Sequence, residues 1–236
     1  MPAPSAEDVA GGTGSALCSI LATTPDLRGT VFDLPHVGER ARAFIAAQGL
    51  ADRCEFTGGS FFESVPSGAG AYFMKHILHD WGDEDCARIL AVCRKAMDAK
   101  ARLLVCERIV PPGNEPSSAK LIDLHMMMTN HGGKERTERE YRNLLSAAGF
   151  ELRRVVPTST PWSVIEAMKN RQKLKVERGG QHRETKAAFC SCVRSAGREQ
   201  TENSEPARRD WKPLINVTSS FRPLCTCPDY AQVTWR

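Results

Sequence analysis

Hydrophobic and polar positions divide residues 14–168 into short apolar runs and longer segments in which apolar residues recur at helical spacing. The short runs are rich in β-branched and aromatic residues and favour strands, whereas the longer segments favour amphipathic helices. Because the two kinds of segment alternate, the pattern predicts an α/β sheet with helices on its faces. The predicted strands are 29–33, 54–57, 71–74 and 102–110, and the predicted helices are 15–24, 38–48, 119–129, 137–149 and one capped by Asp83.

Two further short runs, 153–156 and 163–167, follow the last predicted helix. Pro157 and Pro161 lie between them, which favours a hairpin. The helix before them begins with Thr137 and Glu140, and this pair has the spacing of a capping box.

The two ends of the chain depart from this regularity. Only Asp8 and Val9 stand as strand residues before a glycine loop, so residues 1–7 are predicted to be a disordered leader and the first strand to be truncated. Beyond residue 169 the apolar periodicity is lost. Residues 170–236 are predicted to be a disordered basic tail, because so few apolar groups cannot offset the entropy cost of ordering a chain.

Charge and composition narrow the possible partners. The net charge of +4 comes from the tail, where residues 170–236 hold 13 Lys and Arg against seven Asp and Glu, so nothing indicates a nucleic-acid-binding fold. No apolar run approaches the ~18 residues that a membrane span needs. The start of the chain lacks the pattern of a signal peptide, and nine cysteines then indicate reduced thiols and a cytoplasmic protein.

No metal site is predicted. Cys190 with Cys192 and Cys225 with Cys227 are each separated by one residue, whereas zinc sites commonly use a two-residue gap. The histidines at 76, 125 and 131 have no consistent ligand spacing.

The glycine loop and the acid that follows it indicate a nucleotide-like ligand. Gly11, Gly12 and Gly14 allow the backbone to approach a ligand closely and lead into the first predicted helix, whose free N–H groups face the loop. Asp33 ends the next predicted strand, where a carboxylate can accept both hydroxyls of a ribose. The same pair fits a nicotinamide-dependent dehydrogenase, and these residues alone leave that alternative open.

Three stretches carry a closer resemblance: Phe32-Asp33-Leu34-Pro35-His36-Val37, Met74-Lys75-His76-Ile77-Leu78-His79-Asp80-Trp81 and Gly132-Gly133-Lys134-Glu135-Arg136-Thr137. Over residues 8–168 the chain resembles the catalytic domain of the S-adenosylmethionine-dependent O-methyltransferases, which include the caffeate and hydroxyindole enzymes and bacterial small-molecule methyltransferases. The resemblance implies a Rossmann-like class I methyltransferase sheet, mostly parallel with a C-terminal antiparallel hairpin, in a catalytic domain at 8–169. The cofactor it implies is S-adenosylmethionine.

The resemblance also implies which residues hold the cofactor. Asp33 would bind the ribose, the glycine loop would pass the methionine end, and Lys75 would lie near the cofactor. Ser60 and Phe61 would lie near the adenine. Ser60 stands where the family often has an acid that accepts a hydrogen bond from the adenine amine, and an uncharged hydroxyl makes a weaker bond there. Ala10 replaces a common glycine and is expected to crowd the loop.

His79 matches the family's general base, and Glu107 and Glu135 match the two acids that orient it. A neutral imidazole with a pKa of about 6.5 suits removal of a phenolic proton at neutral pH. Considered alone, His79 fits a core histidine that ends a strand better than a catalytic base, and each acid fits a surface ion pair.

The resemblance places the acceptor near Asp80, Met126, Met127 and Asn130. A methionine stripe on a helix is also commonly core packing. The predicted function is methyl transfer to a hydroxyl of a small, aromatic acceptor, with no nucleic-acid or membrane partner. Members of the family form homodimers through a helical N-terminal domain, which this chain is expected to lack. A truncated relative without activity is the alternative.

Overall fold

The computed structural model describes residues 4–130 and 132–170. They form a seven-stranded sheet with the strand order β3-β2-β1-β4-β5-β7-β6. The strands are β1 (Ser5–Val9), β2 (Arg28–Asp33), β3 (Cys54–Gly58), β4 (Ala71–Lys75), β5 (Arg102–Glu107), β6 (Phe150–Pro157) and β7 (Ser163–Lys169). The helices are α1 (Ser15–Thr23), α2 (Gly38–Ala47), α3 (Asp83–Ala96), α4 (Ser118–Thr129) and α5 (Glu138–Ala147), with short 3-10 helices at Pro35–Val37 and Leu78–Asp80.

The first strand differs from the sequence prediction. Ser5–Val9 is a five-residue strand that lies between β2 and β4 and is parallel to both, so the prediction that residues 5–7 belong to a disordered leader and that only Asp8 and Val9 remain of this strand was wrong. The two acids, Glu7 and Asp8, prevented the sequence pattern from predicting this strand. Their side chains are only 3% and 1% exposed, and two consecutive carboxyl groups in a buried strand break the apolar run by which such a strand is recognised.

Two acids can occupy this buried strand because burial favours their neutral forms. Burial raises the pKa of Glu7 to about 8 and that of Asp8 to about 7, so both favour the neutral form more than an exposed carboxyl group does.

Alternate residues of the central strands pack into different cores. Val31 joins the cluster under α1 and α2, whereas its neighbour Phe32 joins the cluster under α3 and α5. Ala71 and Tyr72 on β4 divide in the same way. Helices therefore cover both faces of the sheet, as the alternating pattern predicted.

Strands β1 to β5 run parallel, and β7 pairs antiparallel with both β5 and β6. The predicted hairpin is confirmed. The strand order reverses at β1, because the chain moves outward to β3 before it returns to β4 on the other side. Ligands of doubly wound sheets bind outside the carboxyl ends of the strands at this point.

The helix ends follow local chemistry. The capping box is present: the Thr137 hydroxyl accepts a hydrogen bond from Glu140 N, and the Glu140 carboxylate accepts one from Thr137 N. The predicted cap at Asp83 was wrong, because Gly82 is the N-cap of α3 and Asp83 is its first residue. Its carboxylate instead pairs with Lys134 and Arg136. In the part of the chain that the structure describes, no helix has the length and apolar character required to span a bilayer.

Candidate active site

The loop after β1 turns sharply beneath an open space. Gly12 and Gly14 have φ values of 60° and 82°, in the region that favours glycine. A Cβ on Gly14 would lie 2.6 Å from Val31 Cγ2, so the loop also packs too closely on β2 for a side chain there. A Cβ on Gly12 would meet no described atom within 4 Å, which leaves room for a ligand. Ala10 has a φ of 59°, so alanine here carries backbone strain of about 1–2 kcal/mol.

Asp33 joins this loop to the end of β2. Gly12 N donates to Asp33 Oδ2 at 2.7 Å, and Leu34 N donates to Asp33 Oδ1 at 2.6 Å. A carboxylate has about four acceptor positions, so both oxygens can still accept a hydrogen bond from a ligand. The structure thus brings together the glycine loop and the acid that the sequence predicted to act with it.

An aromatic cluster lies beside Ser60. Trp81 packs edge-on against Phe62 and Phe61, with ring centroids 4.8 and 6.0 Å apart. The Ser60 hydroxyl accepts a hydrogen bond from Phe62 N at 3.3 Å, so it also holds the turn that carries these rings. Sequence reasoning placed Trp81 in the motif but assigned it no site role. Its position directly after His79 and Asp80 was the available signal.

Lys75 ends β4, and its ammonium group lies 5.0 Å from the ring of Trp162, within the range of a cation–π contact. Its charge opposes the rise in the pKa of Asp8, whose carboxyl group lies below the glycine loop. Because β1 and β4 are adjacent and parallel, Lys75 and the glycine loop both lie at the carboxyl edge of the sheet.

His79, Glu107 and Glu135 meet at the carboxyl ends of β4 and β5. His79 Nδ1 lies 3.1 Å from Glu135 Oε1 and 3.9 Å from Glu107 Oε2. The residues His79, Glu107 and Glu135 are 9%, 0% and 4% exposed. The structure excludes a surface ion pair for either acid, which was the alternative interpretation of both.

Backbone contacts hold this cluster in place. Glu107 Oε1 accepts hydrogen bonds from Ile77 N and Leu78 N at 3.0 and 2.9 Å, which fixes the turn that presents His79. Asp123, on α4, accepts a hydrogen bond from Glu135 N at 2.8 Å. The sequence did not predict this contact, because an acid within a helix carries no local signal for a backbone partner 12 residues further along the chain.

Arg136 is a second residue that the sequence reasoning missed. Its side chain is fully buried, and it donates to Leu78 O at 2.7 Å and to Trp81 O at 2.8 Å. It also pairs with Asp83 at 2.8 Å. The guanidinium therefore binds the backbone on both sides of His79 and Asp80.

The pKa values of Glu107 and His79 are both raised in this cluster, so the protonated forms of both residues are favoured. Burial raises the pKa of Glu107 to about 7; the charge of Glu135 acts in the same direction, while His79 opposes it. Burial works against a charged imidazole, but the hydrogen bond to Glu135 and the charges of Glu107 and Asp80 outweigh it and raise the pKa of His79. A hydrogen on Nδ1 donated to Glu135 would leave Nε2 as a proton acceptor.

Three of the four predicted acceptor residues, Asp80, Met127 and Asn130, lie near His79 or line a cleft, and the fourth, Met126, is buried. Asp80 Oδ1 lies 3.5 Å from His79 Nε2 and accepts a hydrogen bond from Asn130 Nδ2 at 2.6 Å. Met127 and Asn130 line a cleft of about 460 Å³ together with Asp123 and Glu135. Met126 is buried and does not line this cleft, so it fits the core-packing alternative.

Comparison with known proteins agrees with this architecture. The sheet, with its parallel strands and terminal antiparallel pair, is that of a class I methyltransferase. The family model of the O-methyltransferase domain matches residues 1–151, and the chain belongs to that family. The predicted family and fold class are confirmed. Membership of this family also favours a methyltransferase over the nicotinamide-dependent dehydrogenase.

Three comparisons, one with a curated relative and two with solved structures, give the extent of the match. Phenazine O-methyltransferase PhzM of Lysobacter antibioticus is 42% identical over 160 residues, which cover 68% of this chain and 47% of that protein. The crystal structure of LaPhzM has a TM-score of 0.68 at 41% identity and covers 71% of this chain and 50% of its own. NcsB1, an O-methyltransferase from neocarzinostatin biosynthesis solved with S-adenosylmethionine and 2-hydroxy-5-methyl naphthoic acid, has a TM-score of 0.64 at 34% identity, over 70% of this chain and 48% of that one. The chain spans about half the length of these relatives.

Proposed function

We propose that this chain transfers a methyl group from S-adenosylmethionine to a hydroxyl of a small aromatic molecule, with His79 as the general base. The observation that carries the proposal is the 3.1 Å contact between His79 Nδ1 and Glu135 Oε1. A buried carboxylate at that nitrogen fixes the tautomer in which Nε2 accepts a proton.

The cofactor fits the residues at the carboxyl ends of β1 and β2. Asp33 would hold the ribose hydroxyls with the acceptor positions that its contacts to Gly12 N and Leu34 N leave free. The open space above Gly12 and the start of α1 would receive the methionine end, with Gly11, Gly14 and Lys75 nearby. The aromatic cluster of Phe61, Phe62 and Trp81 offers an apolar surface for the adenine, and Ser60 a hydroxyl. The structures of NcsB1 with S-adenosylmethionine and of CalO1 with S-adenosylhomocysteine support this assignment.

When bound, S-adenosylmethionine supplies a methyl group on a positively charged sulfur, and the bond from the acceptor oxygen to the methyl carbon forms as the carbon–sulfur bond breaks. A phenol has a pKa of about 10, so its proton has to leave during this attack. His79 Nε2 accepts that proton, and Glu135 and Glu107 stabilise the imidazolium that results. These residues account for the proton without a metal, and the proposed catalytic reaction uses none.

The cleft lined by Glu135, whose carboxylate contacts His79, would hold the acceptor. Met127 provides an apolar wall, and Asn130 with Asp80 provides polar groups within reach of a ring substituent. Acceptors named for relatives support an aromatic molecule, since they include a phenazine and a 3-amino-4-hydroxybenzoate. Met126 contributes to the proposal only as support for α4 from beneath.

The remaining expectations are also part of the proposal. Five cysteines of the described residues are free and buried, which supports a reducing, cytoplasmic location: Cys18, Cys54, Cys86, Cys93 and Cys106.

Helix α4 exposes three large apolar side chains, Leu121, Leu124 and Met128. They support homodimer formation through a surface that includes this helix.

The catalytic unit comprises β1 to β7. Asn170, the first residue of the predicted tail, is described and donates from its backbone N–H to Gly149 O, whereas the expected disorder of residues 171–236 lies outside the described residues.

An inactive relative is the competing interpretation, and one experiment separates the two. The chain is mixed with S-adenosylmethionine and a hydroxylated phenazine or naphthoic acid, and mass spectrometry follows the acceptor. Our proposal expects a single added methyl group, a large loss in Glu135→Gln and none in the exposed control Glu138→Gln. Binding of S-adenosylhomocysteine without any transfer across the acceptor panel would favour the inactive relative, and no binding at all would contradict the cofactor assignment.

A further inference from the structure

We propose that His79, Glu107 and Glu135 also form a site for a divalent cation of the zinc type, and that an ion bound there stops methyl transfer. The binding site stands on the geometry alone, whereas its inhibitory effect rests on the proposed function of His79.

The three side chains have the spacing of a metal shell. One ligand atom from each lies within 4.8 Å of those of the other two. Zinc bonds of about 2.0–2.2 Å to nitrogen and oxygen place neighbouring ligands of a tetrahedral shell about 3.4 Å apart. The distances from His79 Nδ1 to Glu135 Oε1 and Glu107 Oε2 are 3.1 and 3.9 Å, so they lie on either side of that value.

Unsatisfied oxygens point to a missing partner. Glu107 Oε2 and Glu135 Oε2 are both buried, and neither has a hydrogen-bond partner among the described residues. A buried carboxylate oxygen without a partner is costly, because it has lost its water. The two carboxyl groups share a single imidazole, and the guanidinium of Arg136 is directed to Leu78 O, Trp81 O and Asp83 instead. A cation between the acids and the imidazole would complete their coordination.

The ligands are held in place before any ion binds. Glu107 is fixed through its other oxygen by Ile77 N and Leu78 N, and the backbone of Glu135 is fixed by Asp123. Such contacts to ligating side chains typically strengthen metal binding. Histidine spacing along the chain could not reveal this site, since 56 residues separate His79 from Glu135.

The ligand set favours zinc over magnesium. One imidazole and two carboxylates suit an ion of intermediate softness that accepts both nitrogen and oxygen in a shell of four. Magnesium requires near-octahedral oxygen ligands and retains its waters, which a closed cluster at this depth does not provide.

Metal binding would block the base by changing its tautomer. An ion on Nδ1 takes the lone pair of that nitrogen, so the single N–H hydrogen of the neutral imidazole moves, through solvent, from Nδ1 to Nε2. That nitrogen can donate to Asp80 but can no longer accept the proton of an acceptor hydroxyl. Asp33 and the glycine loop lie on other strands, so the ion should leave cofactor binding unchanged.

The test measures metal binding without turnover. Zinc is titrated into the full chain in competition with a chromophoric chelator, for the parent, Glu107→Gln, Glu135→Gln and His79→Phe. His125→Asn, an exposed histidine on α4, is the matched control. We expect one zinc per chain, an affinity lower by at least about 10–100-fold in the three variants, and no change in the control. Thermal melts with and without zinc confirm that each variant is folded, and zinc should raise the melting temperature only of the parent and the control.

Cobalt distinguishes this site from the cysteines. Cobalt bound by imidazole and carboxylate gives no thiolate charge-transfer band, whereas a cysteine site does. An intense thiolate band, or equal zinc affinity in the parent and the glutamine variants, would overturn the proposal. Zinc binding without any methyl transfer would refute only the proposed function, and methyl transfer that continues with zinc bound would refute only the inhibitory effect.

Discussion

The backbone N–H of Gly12 donates a hydrogen bond to Asp33 Oδ2 at 2.7 Å, and this contact fixes the glycine loop against the end of β2. One side chain therefore shapes the loop and, in our proposal, holds the cofactor. Replacing Asp33 with Ala should weaken S-adenosylhomocysteine binding by roughly 1.5–3 kcal/mol, because the ribose loses a charged partner. Calorimetry checks this, with the exposed Asp26→Ala as control. Equal affinity of parent and Asp33→Ala would show that the cofactor binds elsewhere.

Gly14 should tolerate a side chain less well than another glycine with the same backbone conformation. Gly14 and Gly113 have φ values of 82° and 81°, so alanine costs about 1–2 kcal/mol of backbone strain at either position. Only at Gly14 does a Cβ also meet Val31 Cγ2 at 2.6 Å, and overpacking adds about 1–3 kcal/mol. Urea unfolding should therefore show a larger loss of stability in Gly14→Ala than in Gly113→Ala. Equal losses would mean that strain alone sets the cost.

Arg136 should be required for stability as well as for the geometry of His79. Arg136→Met leaves Leu78 O and Trp81 O without their charged donor, and we expect the free energy of unfolding to fall by about 1.5–3 kcal/mol or more. The control is Arg142→Met, which breaks only an exposed pair with Glu138 and should cost about 0.3–0.5 kcal/mol. Similar costs for the two variants in urea unfolding would contradict the anchoring role of Arg136.

The stability of the fold should decrease as the pH rises from about 6.5 to 8, above the range in which the buried His76, with its pKa lowered from 6.5 to about 3, has the opposite effect. Burial, with the charges of Asp8 and Glu55, raises the pKa of Glu7 from 4.5 to about 8. The folded state then holds a proton that the unfolded chain has lost, so this contribution is complete below pH 4.5 and disappears as the pH passes 8.

Glu7→Gln should reduce this pH dependence and stabilise the protein at pH 8 relative to the parent, whereas Glu55→Gln at an exposed position should leave most of the slope. The measurement is urea unfolding at a series of pH values. A parent whose stability rises over this range would contradict the buried, protonated state of Glu7.

The sequence predicted the fold wherever apolar spacing alone determines the structure. The alternation of strands and helices, the hairpin of β6 and β7 and the capping box at Thr137 all depend on local patterns. The strand β1 does not, because Glu7 and Asp8 are buried by neighbouring strands that lie far along the chain. No local pattern reveals that a carboxyl group will be held neutral inside a sheet.

The same distinction applies to the site. Asp33, the glycine loop and His79 occur in recognisable motifs, and the structure brings each to the carboxyl ends of the strands. Asp123 and Arg136 act through backbone atoms of other segments. Such contacts depend on how α4 and the turn at His79 meet in space, and the residue type at a position does not encode its backbone partner.

The central claim, that His79 Nε2 removes the acceptor proton, is tested most directly by His79→Phe. Methyl transfer is measured at saturating S-adenosylmethionine, and S-adenosylhomocysteine binding is measured on the same sample, with His125→Phe as the control. Loss of a general base predicts that kcat falls by ~10²–10⁴-fold, while the cofactor affinity and the control stay unchanged. A His79→Phe variant that transfers methyl groups at the rate of the parent would contradict the account.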